Sequence, residues 1–209
     1  MKKNLVVFAS GGKTGETGGT GAENLAQKLP DRVLVFISNH ENGGVKHRAD
    51  TLGVPFVYFP GPYTEQGYRE LIEKICAEMG TDKDDLWYAL SGWFRQVFWL
   101  PPERTVNIHP APLPLFAAMW GEKLHQSVWE AYGRGEITEG EIVMHFVTPK
   151  IDDGPIFFRF SLPLSGIKNY DEYRETVRII EHNFQPRMME LVMNGDISWD
   201  GRNPESLRI

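Results

Sequence analysis

The sequence predicts an α/β fold built on a doubly wound, mostly parallel sheet, closed by a C-terminal hairpin and a long helix. Two apolar runs, 5–9 and 33–37, are nearly continuous instead of alternating, as strands covered on both faces require. A glycine-rich loop and a short helix-like stretch at 22–28 separate them, and strand, glycine loop, helix, strand opens a doubly wound unit. A stripe of Tyr170, Tyr173, Val177, Ile180, Phe184, Met188 and Leu191 then spaces apolar residues three and four apart near the C-terminus.

Each element follows in turn. A short strand at 56–59 sits between prolines, and Tyr68, Leu71, Ile72, Ile75 and Met79 mark a helix over 64–79. Strands are expected at 86–90 and 106–108. The second of these runs into His109-Pro110-Ala111-Pro112-Leu113-Pro114, whose prolines exclude both helix and sheet pairing. A helix at 124–132 precedes strands at 141–148 and 156–162, joined by a turn-rich linker. The final helix spans 170–194, with Asn169 as its cap, Gly195 as its stop and Pro186 expected to kink it.

At 209 residues one domain over 1–209 is expected. Acids outnumber bases 28 to 22, a net charge of −6, so a small-molecule substrate is expected and a nucleic-acid partner is not. Cys76 has no partner for an internal disulfide. No apolar run reaches the roughly 18 residues of a membrane helix, and a cytoplasmic location without a membrane partner is the expectation.

The sharpest local signal is Asn107-Ile108-His109-Pro110. A residue before proline is driven to extended geometry, and positions two apart in an extended segment share a face. Asn107 and His109 therefore form a donor pair at a strand end, where open α/β sheets bind ligands, and could hold an oxyanion. A capped strand end with a hydrogen-bonded histidine fits the same spacing. Asp152 and Asp153 lie in a Gly-Pro turn, where acids usually bond their own backbone; a carboxylate reaching His109 would instead favour the imidazolium.

Gly11-Gly12-Lys13-Thr14 imitates the end of a triphosphate-binding loop, but Val7 stands where that motif requires its first glycine. What remains is a glycine-rich loop entering a helix whose N-terminal amides suit an anion, against the alternative of a flexible surface loop. Arg178, Glu181, His182 and Gln185 form a polar strip on the last helix, either a solvated face or a pocket wall. Trp93, Phe94, Arg95, Gln96 and Val97 suit a flat heteroaromatic ligand or aromatic core packing. The histidines show no metal-ligand spacing, and no metal is expected.

In this order, the pieces resemble the folate-dependent formyltransferase family, nearest its small phosphoribosylglycinamide formyltransferase branch. The resemblance rests on Asn107-Ile108-His109-Pro110 with Leu113-Pro114, on His145-Phe146-Val147-Thr148 followed by Asp152 and Gly154-Pro155, and on Glu181-His182. It implies a Rossmann-like formyltransferase fold and 10-formyltetrahydrofolate as co-substrate. It further implies Asn107, His109 and Asp152 as the catalytic trio, with His109 protonated. The pterin would lie at 93–97 and Asp152. The acceptor phosphate would lie near Gly19, Thr20, Gly21 and Asn24, with Glu181 at its ribose; from the polar strip alone, Arg178 could also meet a phosphate if that strip lines the pocket.

The chain departs from the family pattern in its longer glycine loop, where Glu23 adds an anion, and in Asp153, which replaces a typical glycine. Residues 115–121 are also more apolar, a segment that would reshape the acceptor side or pack on a second copy in a homodimer. The acceptor implied is glycinamide ribonucleotide in purine synthesis, with an amino-sugar nucleotide or a non-catalytic folate- or nucleotide-binding role as the alternatives.

Overall fold

A computed structural model describes residues 4–209. Its strands are β1 (Leu5–Phe8), β2 (Val33–Ser38), β3 (Phe56–Tyr58), β4 (Trp87–Leu90), β5 (Thr105–His109), β6 (Glu139–Phe146) and β7 (Ile156–Pro163). Its α-helices are α1 (Thr20–Lys28), α2 (Gly44–Leu52), α3 (Glu65–Met79), α4 (Gly121–Gly133) and α5 (Tyr170–Asn194). One seven-stranded sheet runs β3-β2-β1-β4-β5-β6-β7. The first five strands of that order are parallel, and β6 and β7 complete it as an antiparallel hairpin.

The apolar strands are buried on both faces, as their composition requires. Leu5, Val7 and Ala9 pack with α1, α2 and α5 on one side, while Val6 and Phe8 pack with α3 on the other. Strand order reverses at β1, which lies between β2 and β4. The loops leaving the carboxyl ends of β1 and β4 therefore diverge and leave a crevice, the usual ligand position in such sheets.

Helix α2 was not foreseen from its sequence. Only Gly44, Val45 and Ala49 are buried along it, too few to write an apolar stripe. Helix α5 has the expected bounds: Asn169 accepts a hydrogen bond from the Glu172 amide and Gly195 ends the helix at φ 83°. Pro186 lies inside it, and the helix continues for two more turns. β6 starts two residues before the expected position and ends two before. No helix among the described residues is long and apolar enough to cross a membrane.

Candidate active site

The end of β5 sets the site. Asn107 and His109 point to one side, and the antiparallel register places His145 of β6 directly opposite Asn107. Asp152 arrives from the turn between β6 and β7. That turn folds back so closely that a Cβ on Gly154 would lie 1.7 Å from the Phe146 carbonyl oxygen, so only glycine fits. Asp152 itself is left-handed at φ 52°.

The four side chains converge. Asn107 Nδ2 lies 3.1 Å from His145 Nε2 and 3.4 Å from Asp152 Oδ1. Asp152 Oδ2 lies 3.7 Å from His109 Nδ1 and accepts a hydrogen bond from the Ala118 amide at 2.9 Å. His145 Nδ1 donates to the Phe146 carbonyl at 2.8 Å, which in the neutral ring leaves Nε2 as an acceptor that orients the Asn107 amide. His109 Nε2 is buried without a hydrogen-bond partner.

Burial pushes the His109 pKa below its usual value, and His145 adds to this. Asp152 and the Phe116 backbone oppose the shift without reversing it. The imidazole is thus neutral at neutral pH, which corrects the expectation of a protonated resting His109. Burial pushes Asp152 up, but His145, the His109 charge and the Ala118 amide together hold it below the ordinary carboxylate range. The carboxylate is ionised and the ring beside it is not.

This cluster forms part of one wall of a cavity of about 840 Å³. The expected heteroaromatic-binding segment, Trp93 to Val97, also borders it. Trp93 nevertheless packs in the core: its indole N–H donates to the Tyr68 hydroxyl at 3.0 Å and its ring meets Phe8 edge-on. Phe94 is tied to Ser10 through its amide, and the Gln96 side chain donates to the Pro149 carbonyl, joining this wall to the Asp152 turn. Trp120 and Ile151, both exposed, face the same cavity.

The glycine loop is folded against the start of α2, where a Cβ on Gly44 would lie 2.1 Å from the Thr17 carbonyl oxygen. Gly12 N–H donates to the Thr17 carbonyl at 2.8 Å, closing the loop, and Gly19, Thr20 and Gly21 line the cavity. Arg48 on α2 donates to the Gly18 carbonyl at 2.8 Å and ion-pairs with Glu23. The anion that Glu23 brings near the loop is therefore neutralised.

The acceptor side holds two corrections. Asn24 is buried away from the cavity, its amide donating to the His182 carbonyl at 2.7 Å, so it ties α1 to α5 instead of facing an anion. Arg178 does not border the main cavity; it pairs with Glu175 through both arms of its guanidinium and borders only a smaller recess of about 300 Å³. Arg174, one turn earlier, borders both spaces.

Glu181 lies on the wall between these spaces, partly accessible from them. Burial pushes its pKa up to about 7, opposed by Arg174. His145, Arg174, His125 and Arg48 were not singled out as site residues in the sequence. His145 could have been found from the register of β5 on β6, but Arg48 sits on the unforeseen helix. Among the described residues no group of three or more His, Cys, Asp or Glu is placed to hold a metal ion.

No protein-family model matches the chain. Curated proteins do: the chloroplastic phosphoribosylglycinamide formyltransferase of Arabidopsis thaliana is 27% identical over 216 residues, spanning 95% of this chain and 68% of that protein. The chain is thus similar to a phosphoribosylglycinamide formyltransferase over nearly its whole length. The trifunctional purine biosynthetic protein adenosine-3 of Bos taurus is 29% identical over 170 residues, spanning 79% of this chain but 16% of that protein. Glycinamide ribonucleotide transformylase 1 of Geobacillus kaustophilus superposes with a TM-score of 0.72 at 25% identity, over 92% of this chain and all of the other. The corresponding enzyme of Symbiobacterium toebii gives 0.76 at 24% identity over 100% of this chain and 94% of its own, a likeness of fold. The Rossmann-like formyltransferase fold is thus established.

Proposed function

We propose that the chain transfers a formyl group from 10-formyltetrahydrofolate to the primary amine of glycinamide ribonucleotide. The observation that carries this reading is the convergence of Asn107, His109 and ionised Asp152 within a cavity also bordered by the 93–97 segment and the glycine loop. A flat folate ring fits against the first wall and a phosphate against the loop amides, which brings donor and acceptor together at the trio.

In this reading the amine lone pair attacks the formyl carbon, and the carbonyl oxygen becomes an oxyanion beside Asn107 and His109. The weak 3.4 Å contact of Asn107 with Asp152 is the one the oxyanion displaces, while the shorter contact with His145 keeps the amide oriented. The proton leaving the amine nitrogen passes to His109, whose imidazolium is stabilised by Asp152, and then to the folate nitrogen as its bond to carbon breaks. His109 returns to neutral. The products are the N-formyl amide and tetrahydrofolate.

A folate-coupled assay with glycinamide ribonucleotide tests this, with amino-sugar nucleotides as competing acceptors. Turnover with glycinamide ribonucleotide is expected. Turnover confined to a sugar nucleotide would replace the acceptor and keep the chemistry, and folate binding without turnover would reject the reading.

A further inference from the structure

Trp120 is 50% exposed and Ile151 is 38% exposed. Of the large apolar side chains exposed among the described residues, these two border the main cavity, whereas Tyr58, Leu115, Ile179 and Ile209 do not. The mechanism above uses neither.

Their places along the chain bracket the reacting centre. Ile151 immediately precedes Asp152. Trp120 stands two residues beyond Ala118, whose amide donates to Asp152, and one before Gly121, where a Cβ would lie 3.5 Å from the Phe94 ring. Gly121 is left-handed at φ 62°, a turn that glycine makes without strain. Segment 118–121 therefore runs from the Asp152 carboxylate to the 93–97 wall, and it carries an indole along the cavity between them.

The polar groups of the cavity suit the formyl oxygen, the amine and the phosphate, but they leave this apolar rim without a use. In the proposed donor, the nitrogen that carries the formyl group is bonded directly to a benzoyl ring. Wherever the formyl carbon meets Asn107 and His109, an aromatic ring must lie beside them. A half-exposed indole next to a branched aliphatic side chain is a fitting surface for such a ring at a cavity mouth.

We propose that Trp120 stacks on the benzoyl ring of the formyl donor, with Ile151 extending the same apolar rim. This rests on the formyl-transfer reading given above. It gives segment 115–121 a role on the donor side, where the sequence suggested the acceptor side or a second copy. Because a single bond joins the ring to the nitrogen, holding the ring holds the formyl carbon against the trio.

The test measures donor KM, acceptor KM and kcat for wild type, Trp120→Ala and Trp120→Phe in the folate-coupled assay. Trp120→Ala is expected to raise the donor KM about tenfold and to leave the acceptor KM unchanged. Trp120→Phe keeps a stacking ring and is expected to recover most of that loss, which a purely structural role would not predict. In parallel, tetrahydrofolate, which carries the same benzoyl ring, is titrated into wild type and Trp120→Phe while tryptophan fluorescence is followed. Most of the wild-type quenching is expected to vanish in Trp120→Phe. Should Trp120→Ala fail to fold, that titration decides alone, and equal quenching in the two proteins overturns the inference. An unchanged donor KM in Trp120→Ala also overturns it and leaves the formyl-transfer reading intact. So does a wild-type dimer, seen by sedimentation, that Trp120→Ala converts to monomer, since the indole then faces a second copy. Wild-type protein that transfers no formyl group and whose fluorescence is unmoved by tetrahydrofolate overturns both.

Discussion

The Ala118 amide donates to Asp152 Oδ2 at 2.9 Å, and both residues hold left-handed backbone, at φ 58° and 52° respectively. Left-handed geometry costs an alanine roughly 1–2 kcal/mol, so the 115–121 segment maintains a strained residue whose amide meets the carboxylate. The apolar stretch that sets this chain apart from the formyltransferases it resembles is thereby tied to Asp152.

Substitution of Ala118 separates the amide from the side chain. Ala118→Pro removes the N–H and cannot adopt a positive φ, and the loss of a charge-assisted hydrogen bond predicts a fall in kcat of roughly ten- to a hundredfold. Ala118→Gly keeps the amide and relieves the strain, and near-normal turnover is expected. Equal activity in the two variants would show that the contact is irrelevant to turnover.

The neutral state of His109 makes a prediction about pH. A resting site that needed the imidazolium would lose activity as pH rises through the ordinary histidine range. Because burial holds the folded pKa of His109 below 6.5, the predicted kcat/KM profile shows no decline between about pH 7 and pH 8, and any acid limb lies below 6.5. A steady fall across neutrality would restore the protonated resting ring.

Glu181 and His125 place opposite pH signatures on stability. The carboxyl of Glu181 is raised to about 7, so the folded state holds its proton longer than the unfolded chain, and this destabilises the fold as pH rises through 4.5 toward 7. The His125 pKa is depressed to about 4, so stability falls as pH drops below 6.5. Glu181→Gln removes the first effect. The variant is expected to melt higher than wild type at pH 8, by an amount on the order of 2–3 kcal/mol, with the gap closing toward pH 4.5. A lower melting temperature at pH 8 would contradict the raised pKa of Glu181.

Arg48 holds the glycine loop through the Gly18 carbonyl and cancels Glu23. Arg48→Met leaves Glu23 unpaired beside the proposed phosphate position and loosens the loop. The acceptor KM is expected to rise several-fold with kcat for bound substrate little changed, as read from steady-state kinetics. An unaltered acceptor KM would detach the loop from acceptor binding.

Much of this was legible in the sequence because the signals are local. Continuous apolar strands, the Asn169 cap and Gly195 stop, and the proline-fixed end of β5 each follow from a few neighbouring residues. The side-by-side placement of Asn107 and His109 followed from strand period alone. What was not legible depends on tertiary contact: His145 enters through antiparallel register, Arg48 through a helix with almost no apolar stripe, and Ala118 through its backbone amide. Asn24 and Arg178 matched the expected positions along the chain, yet the His182 carbonyl and the Glu175 carboxylate engage them elsewhere. The His109 charge state turned on the depth of burial, which spacing does not reveal.

The most direct test is formyl transfer itself, measured as tetrahydrofolate release with glycinamide ribonucleotide for wild type, His109→Ala and Asp152→Asn. The predicted result is steady turnover by wild type and losses of roughly a hundredfold or more in each variant, with folate affinity largely kept. Wild-type turnover matched by both variants would contradict the assignment of the trio.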